Sequence, residues 1–221
     1  MDVTITPLPG VVAAVAWAGA VGVLAWAWWA APWRRLASNE ASHVWYGTIF
    51  TLVVLWSIRA TLADGVVIHL LGVGAFALAA GGPLALLGGA LVVAFTTAVH
   101  ATPAGNAGAV YLQNVALPVA VTLATLRGTQ RWLPANFFVY VWGAGFVGPA
   151  LGLAAAGLAG AAVVAMAGGP GAAGVFDDYA PYLVYLAFAE GTLSGMLITL
   201  LVVYRPRWVA TFEDERYLNR P

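Results

Sequence analysis

The chain has 221 residues, of which 62% are hydrophobic and 8% charged, and its nine basic residues, all arginine, balance nine acidic ones. So little polar side chain cannot clothe a soluble globule of this size, and with no basic face nothing points to nucleic acid as a partner. Cysteine is absent, which removes disulfides, thiolate metal ligands and cysteine nucleophiles together.

The composition is that of a polytopic membrane protein, and its elements are apolar runs. The first, Val11 to Ala31, is about as long as the ~20 residues a spanning helix needs. Asp2 and no basic residue precede it, whereas a secretory signal begins positive, so it reads as an uncleaved span. Trp33-Arg34-Arg35 follows directly. Two further arginine clusters also stand beside tryptophan at the ends of apolar runs: Arg127 to Arg131-Trp132, and Arg205-Pro206-Arg207-Trp208 with Arg216 and Arg220 behind it. Basic residues stay on the cytoplasmic side and tryptophan favours the headgroup layer, so all three clusters are expected inside, with the N-terminus outside.

Threading the remaining runs alternately gives spans at about 44–58, 65–80, 84–101, 107–126, 136–166 and 182–204, or seven in all. The second exits near Arg59 and Asp64, and the third turns at Gly81-Gly82-Pro83. The sixth carries Gly148-Pro149 at its middle and should kink there. Asp177 and Asp178 fall in an outer loop, 168–181, and a cytoplasmic tail, 205–221, follows the last span. The two short spans flanking Arg59 and Asp64 could instead form a re-entrant hairpin, leaving five spans with the same sidedness. The fold class is therefore an all-α transmembrane helix bundle in one integral membrane domain, in the inner or cytoplasmic membrane. Pairs such as Gly148/Gly152, Gly191/Gly195 and Ala156/Gly160 have the small-residue spacing that lets membrane helices approach closely.

Polar residues within these spans fall into two groups. His43 sits at an inner span end near Trp45 and reads as interfacial. His69, His100 and Asn106 share the outer leaflet, Gln113 and Asn114 lie about two turns down the fifth span, and Glu190 lies ~13 Å into the seventh at ~1.5 Å per residue. A carboxylate at that depth is costly unless paired, solvated or protonated, which marks it as functional by default. Imidazole, amide and carboxylate groups converging from several helices would form an outward-opening pocket. Imidazole there suits nickel, cobalt, copper or zinc. No catalytic or nucleotide-binding motif is present, so the chain is not expected to be an enzyme, and any ATP-driven step belongs to another subunit.

Ile68-His69-Leu70-Leu71-Gly72 with Gly82-Pro83, and Glu190-Gly191 with Ile198-Thr199 and Arg205-Pro206, carry a family resemblance. Between about His69 and Arg207 the chain resembles the substrate-capture permease subunits of cobalt and nickel energy-coupling-factor transporters, the CbiM/NikM type. That resemblance implies metal ligation by His69 and transport driven by a cytoplasmic ATPase pair through a coupling membrane subunit. It also implies ligands from an N-terminal Met-His-Ile-Pro-Asp-Gly, where this chain has Met1-Asp2-Val3-Thr4-Ile5. Without that second histidine, either the ion is a different one with ligands such as Asp2 or His100, or the permease has diverged and no longer binds nickel or cobalt in that way.

The expected metal site is thus His69, His100, Glu190 and Asp2, with Asn106, Gln113 and Asn114 in support. A divalent transition metal is the substrate, no cofactor is bound covalently, and the partners are the bilayer and the driving subunits. Two other roles remain open: a structural or assembly membrane subunit, and a proton-coupled carrier that titrates Glu190.

Overall fold

The computed structural model describes residues 7–61, 67–167 and 175–217. Five helical stretches are long and apolar enough to cross a membrane: Gly10–Ala30, Gly82–Val99, Ala104–Trp132, Phe137–Val163 and Pro181–Tyr204. The first, α1 (Gly10–Ala30), matches its expected run to within a residue. It stops because Pro32 holds Ala31 in extended backbone. Only Ala20 and Ala27 are buried on it, so most of its surface is left to lipid.

Helix α2 (Asn39–Ser57) starts five residues before its expected position. A cap decides that start: the Ser38 side chain accepts a hydrogen bond from Ala41 N–H, and Glu40 sits in the positive first turn. The polar residues this adds keep α2 outside the set of five apolar helices.

The expected third span, 65–80, is not a continuous helix. Two-residue strands β1 (Ala60–Thr61) and β2 (Val67–Ile68) pair antiparallel, residues 69–72 are irregular, and α3 (Val73–Ala80) has eight residues. Asp64 lies outside the described residues. Eight residues rise only ~12 Å, less than half a bilayer core. Six consecutive residues of α3, Val73 to Leu78, are buried on all sides, enclosed by α2, α4 (Gly82–Val99), α6 (Leu117–Trp132), α8 (Gly148–Ala167) and α9 (Val175–Tyr204). Left-handed glycines bound it, Gly72 at φ +68° and Gly81 at φ +88°. Pro83 then stands in the first turn of α4, where its missing N–H costs nothing.

The fifth and sixth expected spans contain wide turns that their sequences do not announce. Between α5 (Ala107–Tyr111) and α6, residues Leu112–Ala116 are π-helical. Between α7 (Phe137–Val139) and α8, residues Tyr140–Val147 are π-helical. Each π segment is followed, after one intervening residue, by a proline, Pro118 or Pro149. The expected kink at Gly148-Pro149 is thus resolved as a wound-out helix, because the carbonyl a proline leaves unpaired finds another donor when the pitch widens. The two prolines also face the packing seam of α6, α8 and α3. A Cβ on Gly152 would lie 3.0 Å from the Pro118 carbonyl oxygen, and one on Gly74 would lie 2.8 Å from Pro149 Cβ.

The last long helix, α9, begins at Val175, so Asp177 and Asp178 belong to its first turns rather than to a loop. After it, the tail folds back under α3 through a 3-10 turn, Pro206–Trp208, and α10 (Asp214–Tyr217). Ala210 N–H donates to Ala79 O at 2.8 Å, and the Thr211 hydroxyl donates to Leu78 O at 2.9 Å and meets Tyr140 OH at 2.7 Å. Tyr140, Phe212 and Tyr217 stack with Leu78 and Ile198 in a second core there.

All three arginine clusters meet at this end. Arg35 Nη2 reaches the carbonyls of Ala79 and Arg207 at 3.4 and 3.5 Å, and Arg216 Nη2 donates to Gln130 O at 3.3 Å. Burial and loss of hydration lower the Arg35 pKa from its ordinary value.

Candidate functional site

Irregular backbone inside a helix bundle needs partners for its N–H and C=O groups, and the stretch after β2 finds them in side chains. Leu71 N–H donates to Glu190 Oε2 at 2.9 Å, and Gly72 N–H donates to Glu190 Oε1 at 2.7 Å. Glu190, only 1% exposed, therefore caps α3 from the facing helix α9. Two N–H donors and the positive end of a helix are what make a buried carboxylate tolerable. The Leu71 carbonyl is held as well, accepting from the Trp56 indole N–H at 2.8 Å.

This double anchoring fixes His69, two residues upstream and 8% exposed. Its Nδ1 lies 3.0 Å from the Leu70 carbonyl, and its ring packs on Trp56 with centroids 5.0 Å apart. A carbonyl can only accept, so Nδ1 is the donor and carries a proton.

His100 comes to the same place from the end of α4. Thr102 N–H donates back to Thr97 O at 3.1 Å and Ala101 takes a left-handed φ of +51°, so the helix closes in a Schellman-type turn with His100 as its last half-helical residue. A small cavity of about 10 Å³ lies among Trp56, Arg59, His69, Thr96, His100 and Thr102. It is room for one atom-sized occupant. His100 Nε2 is buried there with no hydrogen-bond partner among the described residues.

The other expected site residues are buried but serve different seams. Asn106, 1% exposed, accepts from Leu8 N–H at 3.0 Å through Oδ1 and so ties the residues before α1 to the start of α5. Gln113 donates to Ala156 O of α8 at 3.1 Å, and both it and Asn114 sit in the first π segment. His43 is exposed and bonded within its own helix to Asn39 O. Asp2 lies outside the described residues. Among the described residues no three His, Asp or Glu side chains cluster as metal ligands, and Glu190 does not line the cavity between the histidines. Sequence reasoning missed Trp56, Arg59 and Thr96; a tryptophan ending a polar-capped helix was the one available signal, since an indole N–H in a membrane needs an acceptor.

A model of the CbiM family, described as the cobalt uptake substrate-specific transmembrane region, matches residues 6–208. Two solved structures share the fold. One, a truncated transition metal transporter, has a TM-score of 0.73 at 15% identity, covering 92% of this chain and 99% of its own. The other, a transition metal transporter, has a TM-score of 0.72 at 16% identity, covering 91% of this chain and 92% of its own. No curated protein matches significantly. With the match spanning nearly the whole sequence and five apolar helices to carry it, the chain belongs to the CbiM family and is a multi-pass membrane protein of metal transport, not an enzyme.

Proposed function

We propose that the cavity between His69 and His100 captures a divalent transition-metal cation, cobalt or nickel, for uptake across the membrane. One observation carries this reading: a buried, unpartnered imidazole nitrogen of His100 in a cavity shared with a second imidazole, that of His69, held through Nδ1 by a backbone carbonyl. Imidazole pairs suit these metals, and a buried imidazole nitrogen left without a partner is costly unless a ligand meets it. Arg59 lines the same cavity, and no carboxylate does among the described residues. A bound cation therefore calls for an anionic ligand, and the sequence offers Asp2 for that role.

On this reading Glu190 supports the site rather than ligating metal, because it does not line the cavity and its two oxygens accept from the backbone leading into α3. The histidine end faces outside and the arginine end faces the cytoplasm, in keeping with the sidedness rule. A coupling membrane subunit and an ATPase pair drive release, since the sequence holds no nucleotide-binding loop of its own.

The test is metal-dependent stabilisation of the purified full chain, because a ligand that binds only the folded state raises the melting temperature by mass action. Nickel, cobalt, zinc, copper and manganese are added separately. The wild type is expected to shift with nickel or cobalt, and His69→Ala, His100→Ala and Asp2→Asn are each expected to lose most of that shift. A wild type that melts identically with and without every metal sinks the proposal.

A further inference from the structure

At the arginine end a cavity of about 700 Å³ opens between α1, α4 and α6, far larger than the one between the histidines. Its walls are apolar where the helices cross the membrane: Trp26 of α1, Leu86 of α4, and Val119 and Leu123 of α6. Small residues on the first π segment and α6, Ala116 and Ala120, deepen it, and Ala120 is exposed. Its mouth is polar and carries Arg127, Gln130, Glu213 and Arg216.

The two arginines converge by construction. Arg127 lies one turn before Gln130 on α6, and Arg216 Nη2 donates to the Gln130 carbonyl at 3.3 Å. The tail that delivers Arg216 is itself fastened, with Gln130 Nε2 donating to Tyr217 OH at 2.9 Å and the Arg216 guanidinium 5.8 Å from the Tyr217 ring centre. An apolar wedge between membrane helices, capped by two guanidiniums and one carboxylate, has the chemistry of an amphiphile with a net negative head.

We propose that this wedge binds one anionic phospholipid from the leaflet on the arginine side. Its phosphate lies against Arg127 and Arg216, and an acyl chain runs along the accessible lining residues Trp26, Ala120 and Leu123. Lipid is the occupant because the walls belong to spans whose outer faces already meet acyl chains, and a void there forfeits packing contacts that a chain restores. Guanidinium groups hold phosphate through paired, charge-assisted hydrogen bonds, and basic pockets between helices at the cytoplasmic face favour anionic headgroups. The site is distinct from the metal cavity and does not depend on the transport reading.

The experiment is native mass spectrometry of the full-length protein released from nanodiscs of phosphatidylglycerol, phosphatidylethanolamine or phosphatidylcholine, paired with melting curves after delipidation and add-back. Wild type is expected to retain one phosphatidylglycerol and to melt higher with it. The Arg127→Ala, Arg216→Ala double variant is expected to retain it about tenfold less, as loss of charge-assisted bonds implies. Ala120→Trp, which fills the wedge and leaves both arginines, is expected to exclude the lipid while circular dichroism and monodisperse elution show a folded protein. Equal retention of phosphatidylcholine, unchanged retention in either folded variant, or the same stabilisation by inorganic phosphate alone overturns the proposal.

Discussion

Glu190 Oε1 and Gly72 N–H are joined at 2.7 Å across 118 residues of sequence, and the neighbouring Leu71 N–H takes the other carboxylate oxygen. A residue that sequence reading marks as the most costly in the membrane is thus the N-terminal cap of a buried helix. It determines where His69 stands.

Glu190→Gln tests that role directly. An amide offers one acceptor oxygen where the carboxylate offers two, and its NH2 would face a backbone N–H. The expected cost is about 2 kcal/mol, as for loss of a hydrogen bond to a charged group. Denaturant unfolding in detergent measures it, and nickel affinity should fall with it. An unchanged midpoint would mean that the cap contributes nothing.

Gly72→Ala attacks the same turn from the backbone. The φ of +68° disfavours any Cβ, and the added atom would lie 2.7 Å from Leu52 Cδ2. Strain and overpacking together are expected to cost about 2 kcal/mol. A melting temperature equal to wild type would show that the loop readjusts freely.

Ala101→Gly should act in the opposite direction. Alanine holds a left-handed φ of +51° where glycine is the usual helix terminator, so the substitution relieves strain next to His100. A gain of about 1 kcal/mol is expected, with the metal-dependent shift retained because His100 keeps its place. Loss of stability on substitution would contradict the assigned turn.

Thr211→Val removes the hydroxyl that bridges Leu78 O and Tyr140 OH at the arginine end. About 1 kcal/mol of stability should go with it, while the nickel-induced melting shift stays at the wild-type value, since the histidine cavity is at the far end of the bundle. A lost shift would reveal coupling between the two ends through α3.

Much of this protein was legible before folding. The limits of α1, the end of α9 at Tyr204 and the shared end of the arginine clusters follow from apolar length and charge placement. Burial of Glu190, Gln113 and Asn114 was legible too, because each stands in an apolar run, whereas Asn106 precedes the fifth run and its burial comes from the packing of α1 against α5. The third span was misread, since Ile68 to Gly72 is apolar enough for a helix and only Glu190 and Trp56 make its irregular backbone affordable. The wide turns before Pro118 and Pro149 were invisible for a similar reason: a proline announces a broken bond, and the neighbouring helices decide how the backbone absorbs it.

By itself the sequence determined which segments enter the membrane and which end carries the positive charge, because partition into lipid is a local sum over residues. Only the tertiary structure decided which polar groups meet. These helices are apolar nearly all round, so no periodic stripe records which face turns inward. The pairing of Glu190 with α3, and of His69 with His100, emerges when small residues let helices distant in sequence close together.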